Sequence, residues 1–315
     1  MPDPGARPGG KVIVSASRRT DIPAFFGGWF MNRVREKYAL ARNPVNPKQV
    51  SRIELDPGHT ACIVFWTKNA TNFIRRLDEL EKAGHRYYFQ YTVNCYGSDI
   101  EKDVDAEGAA EAFVALSKLI GKKRVIWRYD PVIVNDRYDT AFHAENFKRL
   151  CAKLAGFTEK CVISFVDGYG FLADAFREHG IKELAEAQIR RIAGGISRAA
   201  AEHGISPASC CESVDLAEYN IGRSRCIDHE LINGLFGLNI GYKKDAGQRP
   251  GCGCCASRDI GAYNSCLHGC VYCYAKRGAR KPACDPASPL LCDSAGGIGK
   301  TAGQPPGGAG LIPRG

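Results

Sequence analysis

The sequence predicts an α/β protein built as a partial TIM-like (β/α)6 barrel of parallel strands, continued by a cysteine-rich extension and a disordered tail. Three observations lead there. Six short apolar, β-branched runs alternate strictly with helical stretches, which implies parallel strands joined by right-handed crossovers. Polar or charged residues stand at the C-terminal end of each run, and no Gly-rich phosphate fingerprint follows the first one; this favours a barrel, whose site is assembled from those ends, over a dinucleotide fold. Of 15 cysteines, only Cys62, Cys95, Cys151 and Cys161 precede position 209.

Residues 1–10 are rich in Gly and Pro and read as a disordered leader. The first strand, 11–17, ends in small polar residues, and a helix follows over 24–37, with Thr20 or Asp21 near its cap and Pro23 in its first turn. Strand 62–67 leads to a helix over 71–83 that Gly84 stops. Strand 86–93 leads to a helix over 107–120, and strand 124–129 to one over 140–154. After strand 161–166, helical sequence runs to about residue 203, with breaks expected near Gly180 and Gly194. Strand 206–211 closes the barrel, giving a domain over 11–213. A cysteine-rich extension, 214–275, starts with a short helix over 226–234. From 276 to 315, 15 of 40 residues are Gly or Pro with almost no periodicity, the composition of a disordered tail.

No apolar run approaches the 18 residues a membrane span needs, and the first residues lack an apolar signal core. The protein is expected to be cytoplasmic, where cysteines serve as metal ligands or buried thiols rather than disulfides. The four early cysteines read as buried small residues. The net charge is +9; part of it sits in the tail, where six Lys/Arg face two Asp, so nucleic acid is a weaker expectation for a partner than the total suggests.

The strand ends supply the candidate site. Arg18 and Asp21 after the first strand, Arg128 and Asp130 after the fourth, Asp167 after the fifth and Glu212 after the sixth are the candidate catalytic residues. Arg19, Thr20, Lys68 and Asn69 are the candidate cofactor contacts. Trp66 and Trp127 lie inside strands and are expected in the core.

Cys266, Cys270 and Cys273 lie in one short loop, with Gly269 directly before the second. Three sulfurs that close in sequence converge only if the backbone curls tightly, which glycine permits. Thiolates select zinc or iron–sulfur clusters. Three cysteines on a cubic cluster leave the fourth iron open to a substrate or cofactor, whereas a structural zinc would need a fourth ligand from Cys252, Cys254, Cys255 or His268. Spacing leaves both open. His268 is expected to hydrogen-bond rather than ligate. Cys210, Cys226, Cys252 and Cys254 form a candidate second centre, a zinc site or an auxiliary cluster, with Cys211 and Cys255 near enough in sequence to substitute.

The Cys-x3-Cys-x2-Cys spacing, with Tyr272 before the last cysteine and Tyr274 after it, resembles the cluster loop of radical S-adenosylmethionine enzymes, in detail that of spore photoproduct lyase relatives. The resemblance implies a [4Fe–4S] cluster on Cys266, Cys270 and Cys273, S-adenosylmethionine on its open iron, an electron donor, and a barrel of about six units. In most of that superfamily the loop follows the first strand; here Ser17, Arg18, Arg19 and Thr20 occupy that place. Longer stretches match an uncharacterised bacterial family: Ser-Ala-Ser-Arg-Arg-Thr-Asp-Ile-Pro at 15–23, Val-Phe-Trp-Thr-Lys-Asn at 64–69, Val-Ile-Trp-Arg-Tyr-Asp-Pro at 125–131, Gly-Cys-Gly-Cys at 251–254, Asp-Ile-Gly-Ala-Tyr-Asn at 259–264, and 266–275. Through these the chain resembles the domain of unknown function 1848 family, over about 11–275. The expected function is a radical S-adenosylmethionine-type enzyme acting on a small-molecule or macromolecular substrate. The alternatives are a zinc- or iron–sulfur-stabilised binding module and, by analogy with the lyases, DNA repair.

Overall fold

The computed structural model describes residues 10–277 and 284–292. In chain order the elements are β1 (Val12–Ala16), α1 (Ile22–Phe25), α2 (Gly27–Glu36), β2 (Tyr38–Arg42), β3 (Val50–Glu54), β4 (Thr60–Thr67), α3 (Thr71–Ile74), α4 (Leu77–Lys82), β5 (Tyr87–Thr92) and α5 (Gly108–Ile120). They continue with β6 (Val125–Val132), α6 (Thr140–Leu154), β7 (Lys160–Phe165), α7 (Ala173–Glu178), α8 (Glu186–Glu202), β8 (Ser206–Ser209), β9 (Gly222–Arg223), α9 (His229–Phe236) and β10 (Arg258–Asp259).

The fold is α/β around an eight-stranded sheet in the order β10-β1-β4-β5-β6-β7-β8-β9, and every neighbouring pair is parallel. From β1 to β9 the order follows the chain without reversal. β2 and β3 pair with each other as a separate antiparallel hairpin. The sheet is apolar on both faces, as parallel strands require. On one face Val14, Phe65, Phe89, Trp127 and Ile163 meet α1 to α6 and α8 through residues such as Ile22, Phe30, Phe73, Leu80, Phe113, Phe147 and Ile192. Phe65 stacks on Phe89 with centroids 4.8 Å apart, a contact that adds about 1 kcal/mol beyond the area it buries. On the other face Ile13, Cys62, Val64, Tyr88, Ile126 and Val162 meet Ile227, Ile232, Cys254 and Cys255. Helices therefore cover one side, and the extension with α9 covers the other. Trp127 is in the core, whereas Trp66 is half-buried beneath the Arg18 guanidinium, 5.5 Å from its ring.

Several expectations change. The helix expected over 24–37 is two, because the chain turns at Phe26 and Asp21 caps the first with an Oδ1 bond from Ala24 N (2.9 Å). The helix over 71–83 is likewise split into α3 and α4. Gly194 does not break α8, which runs through it; a Cβ there would meet the Tyr219 ring at 3.4 Å, so the glycine serves close packing. The extension's helix starts at His229 rather than 226, where Asp228 Oδ1 accepts from Glu230 N (3.0 Å). The sheet has two strands more than the six expected; β9 and β10 are two residues each and too short to register as apolar runs.

Part of the tail is also packed. The Trp29 indole donates to Ser288 O (2.8 Å), Leu40 N bonds Pro289 O (2.9 Å), and Leu291 and Cys292 are buried. Cys284 and Cys292 are disulfide-bonded, against the expectation that thiols here stay reduced. The apolar Pro-Leu-Leu-Cys run at 289–292 gives this segment the surface to dock that its Gly-rich surroundings lack. The leader 1–9 and tail residues 278–283 and 293–315 lie outside the described residues. Among the described residues no helix is long and apolar enough to cross a membrane.

Candidate functional site

The cysteine loop reaches the strand ends by way of β10. This strand pairs with β1 in parallel, Val14 opposite Arg258 and Ser15 opposite Asp259, so the chain leaves it at the same end of the sheet as Arg18 to Asp21. The loop is last in sequence, yet the strand it follows is the first in space. Asp259 makes the joint. Its Oδ2 accepts from Ser15 Oγ (2.7 Å) and Arg18 N (2.9 Å), and its Oδ1 from Ser17 Oγ (2.7 Å) and Gly261 N (2.9 Å). Burial works to raise its pKa, but Arg19 and these donors outweigh it and hold the carboxyl below its ordinary range. Gly261 allows the approach, since a Cβ there would fall 1.9 Å from Ser17 Oγ.

Beyond β10 the loop is fastened to four strand ends. Asp21, after β1, accepts at Oδ2 from Lys68 N (2.7 Å) and from His268 Nε2 (2.8 Å). A carboxylate only accepts, so Nε2 carries the proton. Lys68, after β4, donates from Nζ to Glu101 Oε1 (2.7 Å) and Tyr272 Oη (2.9 Å), and Tyr272 Oη donates to Glu101. Asn94, after β5, donates to Glu101 Oε1 (3.1 Å) and to Asp130 O (3.1 Å) and accepts from Asp130 N (2.8 Å), which brings in the end of β6. Tyr274 Oη donates to Arg18 O. His268 hydrogen-bonds, as its position between the cysteines suggested.

The sulfurs themselves are secluded. Cys270 is buried, and Cys266 and Cys273 are half-buried. Burial, then the Asp21 carboxylate, pushes the Cys266 thiol up to about 12. Cys270 is raised by burial, with Lys68 pulling the other way and Cys273 and Cys266 both near enough to act on it. The backbone of His268 and Asp21 works to lower the Cys266 thiol, and that of Ala275 and Lys276 the Cys273 thiol, against burial. Metal ligation would supply the deprotonation that burial opposes. Gly269 has φ +67°, and a Cβ there would press on Lys102 Cβ at 3.2 Å, so the curl of the loop depends on it. Among the described residues no three or more His, Cys, Asp or Glu side chains stand arranged to hold a metal ion. The three thiols lie in one short loop and are near enough to act on one another's charge, and their donor chemistry is that of a sulfur-ligated centre.

The second set of cysteines also meets. Cys210 Sγ lies 3.3 Å from Cys226 Sγ, which accepts from Arg128 Nη1 (2.9 Å). Cys254 Sγ accepts from Cys226 N (3.3 Å) and Ile227 N (3.5 Å), and its side chain contacts those of Cys226 and Cys252. Of the substitutes, Cys255 donates its thiol to Ile227 O (3.0 Å) and Cys211 lies against Gly251.

The remaining candidates take mixed roles. Arg128 and Asp130 form a buried pair through Nε (2.8 Å) and Nη2, and Ser164 Oγ donates to Asp130. Arg18 reaches Asp245 (3.3 Å) with Nη1, while its Nη2 and Thr20 Oγ1 are buried without a hydrogen-bond partner among the described residues. The Arg19 guanidinium lies over the Tyr263 ring at 5.2 Å. Asn69 turns inward to accept from Thr71 N (3.0 Å) at the start of α3. Asp167 pairs with Arg249 (2.6 Å). Glu212 accepts from Phe165 N (3.0 Å), and burial lifts its pKa to about 7 despite that bond. Two surface depressions, of about 530 and 490 Å3, lie elsewhere: one between α6 and α8, the other beside Arg223, Arg225 and Gly253. Asp259, Glu101, Asn94 and Tyr272 join the site without having been among its candidate residues; Glu101 and Asn94 sit in a loop whose pairing with 272 no local pattern reveals.

No curated protein matches the chain. The family model described as domain of unknown function (DUF1848) matches residues 13–275, which takes in the large sheet except for Val12 and the whole cysteine loop. On that match the chain belongs to the DUF1848 family.

Proposed function

We propose that this protein is an iron–sulfur enzyme of the radical S-adenosylmethionine type, with Cys266, Cys270 and Cys273 as the cluster ligands. The observation that carries the reading is the route of the loop: it issues from the end strand beside β1 and is tied through His268 and Tyr272 to residues at the ends of β1, β4 and β5. The unreversed strand order with helices on one face supports a partial barrel as the frame. A [4Fe–4S] cluster bound there would supply the electron that cleaves S-adenosylmethionine to a hydrogen-abstracting radical.

The chain's own residues do the positioning. Asp21 holds His268 with its Nε2 proton turned inward and fixes the backbone of Lys68. Lys68, Glu101 and Tyr272 lock the loop between its second and third cysteines. Thr20 Oγ1, buried and without a partner among the described residues, is a hydroxyl that a polar ligand could bind. A small-molecule or macromolecular substrate and an electron donor complete the partners. The test is anaerobic reconstitution with iron and sulfide, then reductant and S-adenosylmethionine: 5′-deoxyadenosine forms with the wild type and not with Cys270→Ala. A reconstituted, iron-loaded protein that forms none overturns the proposal.

A second reading, a thiolate-stabilised binding module without catalysis, is favoured by the internal pairing of Lys68, Arg128 and Asp167. A colourless, oxygen-stable protein with tight zinc at the loop cysteines would select it.

A further inference from the structure

We infer that Cys210, Cys226, Cys252 and Cys254 bind a single zinc-class ion as a tetrathiolate, separate from the loop centre, and that this ion ties together the two ends of the large sheet. Cys210 follows β8, Cys226 follows β9, and Cys252 and Cys254 precede β10; β9 and β10 are the two end strands of the sheet. The sulfurs therefore link the paired β8–β9 end of the sheet to β10 at its other end, which pairs with neither.

The geometry selects one ion over a cluster. Sulfurs 2.3 Å from a tetrahedral zinc are about 3.8 Å apart. Cys210 Sγ and Cys226 Sγ are 3.3 Å apart, too far for a disulfide and close to that edge. Cys254 Sγ accepts from Cys226 N at 3.3 Å, which sets it beside that pair, and Cys252 is two residues away along the chain. As the side chains stand they do not make a finished ion site; the ion draws the sulfurs into a tetrahedron.

The surroundings suit thiolates. Two backbone N–H groups, of Cys226 and Ile227, already point at Cys254 Sγ, and Arg128 Nη1 at Cys226 Sγ. Four thiols binding a divalent ion release four protons and leave a net charge of about −2. Two guanidiniums, Arg128 buried and Arg18 half-buried, stand beside that charge. Arg128 touches the quartet directly. Arg18 keeps a buried Nη2 with no hydrogen-bond partner among the described residues, and Cys254 and Cys226 are among the groups whose charge acts on it. An unpartnered buried donor beside free thiols is costly; beside a metal tetrathiolate it faces anionic sulfur.

The test uses the full chain with Cys266, Cys270 and Cys273 all changed to Ala, so that the loop centre cannot contribute. Purified from zinc-supplemented growth, that protein retains about one zinc per chain, and the further change Cys226→Ser or Cys254→Ser removes it, while Cys95→Ser does not. Cobalt in place of zinc gives the thiolate charge-transfer and tetrahedral bands of a sulfur site. Should the serine variants not fold, wild-type protein serves: mass mapping finds these four thiols shielded from alkylation until a chelator is added. Zinc content indifferent to Cys226 and Cys254, thiols that alkylate freely, or a quartet that retains iron and sulfide in place of one ion each overturn the inference. These outcomes are read without S-adenosylmethionine, so the radical-enzyme proposal stands or falls apart from them.

Discussion

Asp259→Asn is the substitution that most sharply probes how the cysteine loop is held. Each carboxylate oxygen serves one hydroxyl and one backbone N–H: Oδ2 takes Ser15 Oγ and Arg18 N, Oδ1 takes Ser17 Oγ and Gly261 N. A hydroxyl can turn and accept from an amide; a backbone N–H cannot. Whichever way the asparagine lies, its NH2 faces one backbone N–H and leaves it unsatisfied, at a cost of about 1–3 kcal/mol. The bonds that remain lose their charge assistance, which brings the expected total to about 2–4 kcal/mol. Because β10 is two residues long, this energy falls on local detachment of residues 256–277 before global unfolding. Hydrogen exchange would find Ile260 N, bonded to Ser15 O at 3.0 Å, exchanging about 30- to 1,000-fold faster, with β5 and β6 unaffected. The same carboxylate sets a pH limit. Its folded pKa is depressed, so its contribution is present above the ordinary carboxylate pKa and is lost as pH falls through the lower, folded value. Unchanged exchange at Ile260 in Asp259→Asn would refute the clamp.

Glu212 has the opposite sign: its folded pKa is raised to about 7, so stability falls as pH rises from the unfolded value toward 7. Glu212→Gln keeps an oxygen for Phe165 N and should gain on the wild type by on the order of 1 kcal/mol between pH 5 and 8, after discounting its partial exposure, in denaturant titrations at the two pH values. Lys68→Ala strips a buried partner from Glu101, whose side chain is 1% exposed, and should cost about 3–5 kcal/mol; Lys68→Met with Glu101→Gln should cost clearly less than the single change, as a double-mutant cycle would measure. Cys284→Ser opens a short disulfide loop worth up to ~2.5 kcal/mol to the docked segment, so limited proteolysis should then cut near Ser288 while the sheet stays intact.

The large sheet was legible because its strands are β-branched, apolar on both faces and regularly spaced, and that pattern has few solutions. The two end strands were not, since a two-residue strand has no periodicity; β10 is held by a carboxylate and a glycine contact rather than by apolar burial. That gap hid the link that matters most. Read along the chain, the cysteine loop stands at the wrong end of the protein; in the sheet it follows the first strand. Cys210 and Cys226, read together from their placement around strand ends, lie with their sulfurs 3.3 Å apart. The fate of polar residues was less legible: Arg128 and Asp130 satisfy each other, and Asn69 accepts from Thr71 N, facts that depend on side-chain direction and not on position along a strand.

The account rests on the loop cysteines, and the iron and acid-labile sulfide content of anaerobically purified protein, with its visible spectrum, tests them most directly. About four irons and four sulfides per chain, lost together in the Cys266, Cys270 and Cys273 to Ala variant, are the predicted result. Wild-type protein that takes up neither iron nor sulfide, or that keeps both when those three cysteines are gone, would contradict it.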